Sequence, residues 1–197
     1  MRVILASKSP RRREILASLG VKFEIVSADA NEESDIASPQ RLVGELALRK
    51  GRATRELLCA RGEWNNDTLI IAADTVVATE NEILGKPHSP AHAAEMLRAL
   101  SGHDHRVISG IALLCGDREI VDFDSTTVRF AEMSEAEINW YVGTNEPCDK
   151  AGAYAVQGLA ALWIRGLEGD YFNVVGLPVY RLNELCKAFL NKSLTQL

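Results

Sequence analysis

The run Ser7-Lys8-Ser9-Pro10-Arg11-Arg12 is the first place in the chain where residue types and spacing could do chemistry. A short apolar strand ends, two hydroxyls follow, a proline fixes the first helical turn and two guanidinium groups enter that turn. Cations at a helix N-terminus oppose the macrodipole, so Arg11 and Arg12 are poorly placed for helix stability alone. A phosphate at the helix end would reverse that sign, because backbone N–H groups and guanidinium forks both donate to it. A solvated basic first turn is the alternative.

Other residues could serve an anion or an activated water. Asp74 follows the apolar run 68–73, and ligands of α/β sheets gather at the carboxyl ends of strands; a turn or N-cap aspartate has the same signature. Lys86 lies in Gly85-Lys86-Pro87, which lacks the glycine and hydroxyl spacing of a P-loop. Lys50 lies on a long helical stretch, and a lone lysine at either position is most often a solvated charge. The pair Glu32-Glu33 suits a hard cation such as Mg2+, or is a solvated acidic loop. In the run 149–158 small residues allow close backbone approach, and Gln157 offers one donor and one acceptor, as recognition of a base edge requires. His88, His92, His103 and His105 form no H-E-x-x-H, and no G-x-S-x-G is present, which argues against zinc and serine-hydrolase chemistry.

Charge sorts the partners. The chain has 197 residues and a net charge of −5, yet residues 1–13 carry +5 and no acid, leaving −10 on the remainder. A long polyanion bound by counterion release needs a basic surface, so no nucleic-acid partner is expected, whereas a small anion remains compatible. The four cysteines are far apart and make no C-x-x-C pair. That favours a reducing compartment, and with neither a signal-peptide core nor a run of about 20 apolar residues the expectation is a cytoplasmic protein with no membrane partner.

These residues need a scaffold. Strands are expected at 2–6, 22–27, 68–73 (continuing through 75–79 into a hairpin), 105–115, 119–130 and 160–165. Helices are expected from Ser9-Pro10 to Gly20, from Ser38-Pro39 to about Arg61, from Ser89-Pro90 to near Gly102, from the Ser134/Glu137 capping box to Gly143, and over about 178–190. In the second helix Leu42, Val43, Leu46, Ala53 and Leu57 are expected to share the buried face. Gly51 should weaken that helix by roughly 1 kcal/mol. The alternation followed by a long hairpin predicts an α/β fold with a mixed sheet, in a single domain over residues 1–197.

Taken in order, S-x-S-P-R-R, the acidic pair near 32, A-A-D-T (72–75), G-K-P (85–87), S-G-H-x-H-x-V-I-S-G (101–110), D-K-A-G-A-Y-x-x-Q-G (149–158) and V-V-G-L-P (174–178) resemble the Maf family of nucleoside triphosphate pyrophosphatases. The resemblance implies an elongated mixed β-sheet with flanking helices and two lobes around a cleft, similar to inosine triphosphate pyrophosphatases. It implies hydrolysis of a nucleoside triphosphate to the monophosphate and pyrophosphate, a divalent cation (Mg2+ or Mn2+), and a homodimer. By motif, Asp74 matches the family's proton acceptor and Glu32, beside Glu33, a metal-linked carboxylate. Ser7, Arg12, Lys50 and Lys86 match positions around the triphosphate, and Arg11, Thr75 and Gln157 match positions tied to substrate choice. The Arg/Thr/Gln combination resembles the branch acting on dTTP and UTP, and modified pyrimidine nucleotides fit the same reading. Removal of non-standard nucleotides or restraint of cell division would be the role. A nucleotide-binding regulator of septum formation without activity, or the same chemistry on 7-methyl-GTP, are the alternatives. Asp74 would serve as the base itself or hold the cation that acidifies the water.

Overall fold

A computed structural model describes all 197 residues. The strands are β1 (Arg2–Leu5), β2 (Glu24–Ile25), β3 (Thr68–Ala78), β4 (Ile83–Leu84), β5 (Asp104–Cys115), β6 (Arg118–Phe130) and β7 (Ile164–Glu168). The helices are α1 (Pro10–Ser18), α2 (Pro39–Ala60), α3 (Pro90–Leu100), α4 (Glu135–Gly143), α5 (Tyr171–Val175) and α6 (Val179–Leu190). The strands form one mixed sheet in the order β2-β1-β3-β5-β6-β7, with β4 paired to β3. β1 runs parallel to β2 and β3, with Leu5 opposite Ile71, while β4 on β3 and β7 on β6 are antiparallel. No helix is long and apolar enough to cross a membrane.

The expected helix starts are present because their caps are local. Ser38, Ser89 and Ser134 each accept a bond from the backbone N–H three residues on, and Ser134 with Glu137 closes a full capping box. Several expectations need correction. The run 22–27 pairs only over β2's two residues. Of the strand expected over 160–165, residues 160–163 belong instead to a 3-10 turn (Leu159–Trp163), and pairing starts at Ile164. α5 carries no cap signal and was not expected. The expected continuation past Asp74 is present: β3 runs to Ala78 and pairs with β4, because Val76, Val77 and Ala78 are buried like the apolar run before them, so Asp74 lies within the strand rather than at its end.

The chain forms two compact units. The first comprises Met1–Asp74, Ser109–Asp124 and Gly176–Leu197, and the second Thr75–Ile108 and Ser125–Val175. In the first unit, Ile4, Ala47, Leu58, Ile70, Ala72 and Leu114 pack as a core. α2 buries Val43, Gly44, Leu46, Ala47, Gly51, Thr54 and Leu58, while Leu42, Ala53 and Leu57 stay half-exposed, so the buried stripe is rotated from the expected one. Glycines decide that rotation. A Cβ on Gly51 would lie 2.5 Å from Leu114 Cδ1, and one on Gly110 in β5 would lie 2.4 Å from the Val43 carbonyl carbon and oxygen. The helix touches the sheet where side chains are missing.

In the second unit, Val77, Leu97, Leu100, Phe130, Ile138 and Tyr141 belong to a separate core. His105 is buried there, its Nε2 2.8 Å from the Tyr154 hydroxyl. Burial lowers its pKa to about 4.

Candidate active site

The first unit assembles its charged residues from three elements. Two residues past β1 lies a buried Ser7, whose Oγ accepts from Ser9 N (3.2 Å) and from Arg12 Nη1 (3.3 Å). Ser9 makes no side-chain cap at α1, so its neighbour's hydroxyl shapes this turn. Arg12 is half-buried. Its Nε donates to Gly176 O at 2.7 Å and its Nη1 to Ala73 O at 2.9 Å. Desolvation pushes the guanidinium pKa down and the nearby Asp74 carboxylate pushes it back up, with Arg11 lowering it and Glu32 raising it further. An arginine stays charged through such shifts. Much of the Arg12 fork therefore holds backbone, a job that the sequence does not reveal.

The adjacent carbonyl, Ala73 O, belongs to the strand that delivers Asp74. Its carboxylate is largely buried, and Oδ1 accepts a short hydrogen bond from Lys50 Nζ. Lys50 projects from α2 and also reaches Glu32 Oε1 at 2.9 Å, although Glu32 itself is exposed. One ammonium thus lies against both carboxylates. Arg49, next on α2, donates to Glu33 O at 2.8 Å and holds the acidic loop. Ser7, Arg12, Glu32, Lys50 and Asp74 are therefore brought together, and Arg11 sits half-buried in the same first turn.

The other expected residues lie in the second unit. Thr75 follows Asp74 in β3, where alternation sends its side chain to the opposite face, and it is half-buried. Lys86 and Gln157 are exposed on two segments joined backbone to backbone, Gly152 N to Gly85 O at 3.0 Å. The residues that hold the Gln157 segment, Tyr141 and Glu146, went unread in the sequence. No motif or period marks a side chain whose partner is a loop backbone more than ten residues away.

No group of three or more His, Cys, Asp and Glu residues forms a ready-made metal cage. The Asp74 and Glu32 carboxylates nevertheless offer hard oxygens converging on one point, now taken by the Lys50 ammonium. That donor set fits a divalent cation which keeps part of its water and takes its other oxygens from a substrate.

The family model described as Maf-like protein matches residues 2–189. A protein of Symbiobacterium thermophilum named dTTP/UTP pyrophosphatase is 45% identical over 188 residues, covering 95% of this chain and 93% of that protein. Proteins of the same name from Clostridioides difficile (43% over 199 residues, 98% of each chain) and Alkaliphilus oremlandii (48% over 184 residues, 91% and 92%) are also similar.

Proposed function

The chain belongs to the Maf-like protein family, and we propose that it is a nucleotide pyrophosphatase that hydrolyses dTTP and UTP to the monophosphate and pyrophosphate. The observation that carries this reading is the convergence of Asp74, Glu32, Lys50 and Arg12 in a chain 43–48% identical, over nearly its whole length, to proteins named for that activity.

The bond cleaved joins the α- and β-phosphates. Water bonds to the α-phosphorus as the bond to the leaving pyrophosphate breaks, and the largely buried Asp74 carboxylate, held by Lys50, takes the water's proton. Lys50, Arg11, Arg12 and Lys86 neutralise the triphosphate and the further charge that develops on the leaving pyrophosphate. Ser7, fixed by Ser9 N and Arg12, offers its hydroxyl to a phosphate oxygen. Gln157 reads the pyrimidine edge, with Arg11 and Thr75 contributing to substrate choice. Glu32 would hold a divalent cation, with Asp74 as its second ligand in the alternative in which Asp74 is not itself the base. When bound, it adds charge neutralisation and lowers the pKa of a coordinated water. Residues 1–197 make up a single nucleotide pyrophosphatase domain, and the enzyme works as a homodimer.

A pyrophosphatase-coupled phosphate assay with dTTP, UTP, methylated pyrimidine triphosphates and 7-methyl-GTP tests the reading. Turnover of dTTP and UTP above the purine analogue supports it. Nucleotide binding without pyrophosphate release would make the protein a sensor rather than an enzyme.

A further inference from the structure

We propose that Glu146 and Tyr141 are positioning residues for the loop that carries Gln157, and so set how tightly the pyrimidine base is held. The proposal rests on Gln157 reading the base, as stated above. The loop 154–159 is fastened at two points that bracket Gln157. On one side, Ala155 N donates to the Tyr141 hydroxyl at 3.3 Å. On the other, Leu159 N donates to Glu146 Oε2 at 3.1 Å. The two fastenings are one unit, because the Tyr141 hydroxyl donates in turn to Glu146 Oε1 at 2.8 Å. A single carboxylate therefore spends both oxygens on the two ends of one short loop.

Packing strengthens the case. A Cβ on Gly158 would lie 2.3–2.4 Å from the Glu146 carboxylate, so the loop backbone lies directly on that group. Gly158 N closes the turn onto Ala155 O at 3.0 Å. Tyr141 is fully buried, with its ring 5.4 Å from that of Trp163. Burial first, then its bond to Glu146, raises the phenol pKa, so Tyr141 remains a donor. The Glu146 backbone is itself held, its carbonyl accepting from Lys150 Nζ at 2.7 Å. Hydrogen bonds to a charged acceptor are about twice as strong as neutral ones. Here they support an exposed glutamine, whose placement must come from its backbone.

The test is a coupling experiment. Glu146→Ala and Glu146→Gln are made alone and together with Gln157→Ala, and dTTP and UTP hydrolysis is followed by coupled phosphate release. Glu146→Ala is expected to raise KM about 10-fold with kcat changed less than about 2-fold, as loss of a charged hydrogen bond allows. In the Gln157→Ala background the same change should cost under about 2-fold. Glu146→Gln, which retains an acceptor for one side only, should fall between. Equal losses in both backgrounds, or a loss confined to kcat, overturn the proposal. Hydrogen exchange of residues 154–159 reads the loop without nucleotide. Faster exchange in Glu146→Ala, with α3 unchanged, is expected, and unchanged loop protection overturns the proposal. A wild-type protein inactive on both nucleotides would instead refute the enzymatic reading, and the exchange measurement would still judge the hold on the loop.

Discussion

The Lys50 ammonium rests on the Asp74 carboxylate, a helix residue holding a strand residue, and the same nitrogen lies 2.9 Å from Glu32. The lysine occupies the point at which the two carboxylates converge. The Lys50–Asp74 contact is partly buried and holds those two side chains against each other, whereas the exposed Glu32 adds a weaker, solvent-screened attraction. A lysine in that position both orders the carboxylates and competes with any cation they would share.

Asp74→Asn preserves size and one acceptor for Lys50 but removes the proposed base. The expected result is a loss of kcat of at least about 100-fold, with the melting midpoint lowered by only a few degrees. Circular dichroism melts alongside the coupled assay check both, and unaltered turnover would remove Asp74 from the chemistry.

Lys50→Met takes the competing charge away and leaves Asp74 and Glu32 facing each other unscreened. The gap between melting midpoints in Mg2+ and in chelator should then be wider for the variant than for the wild type, by a few degrees at saturating metal. No nucleotide is needed. Identical gaps in the two proteins would mean that these carboxylates do not share a cation.

The glycines beneath α2 should differ in cost. At Gly51 an added methyl meets the end of a leucine side chain, which can turn aside, and alanine's better helix propensity offsets part of the strain. At Gly110 it meets the backbone of Val43 and Gly44. Gly51→Ala is expected to cost about 1 kcal/mol and Gly110→Ala about 3 kcal/mol or more, read from urea unfolding midpoints. The reverse ranking would contradict the close approach of helix and strand.

His105 supplies a pH dependence whose sign follows from its burial. Its pKa falls from an ordinary 6.5 to about 4, so between those values the unfolded chain binds a proton that the folded chain does not. Stability therefore rises with pH across that window and is lost as pH falls from 6.5 towards 4. The full effect is about 3 kcal/mol. Melts of wild type and His105→Gln between pH 7.5 and 4.5 isolate it, since the difference between them should shrink on acidification. Parallel curves would show that His105 does not titrate in that window.

Local signals explain what could be read from the sequence. Serine caps followed by proline or glutamate placed the starts of α2, α3 and α4 almost to the residue, because a cap is a contact within four residues. The Ser7–Arg12 run and Asp74 stood out because strong charge adjoins apolar strand. Tertiary contacts account for the rest. The buried face of α2 depends on Gly51 meeting Leu114 and on Gly110 meeting Val43, and neither approach is written in the periodicity of the helix. The Arg12 guanidinium is committed to two carbonyls, at Ala73 and Gly176, which lie 61 and 164 residues away. Tyr141 and Glu146 look like an ordinary helix-end pair until the loop above them is in place.

The bond from Arg12 to Gly176 O has a temporal side. The first unit takes its final piece from residues 176–197, after every residue of the second unit. During synthesis, Asp74, Lys50, Lys86 and Gln157 all emerge before the carbonyl that Arg12 Nε requires. In a growing chain Asp74 is therefore present while Arg12 still lacks one of its two carbonyl anchors. Arg12 is tethered to both carbonyls only once Gly176 has been added.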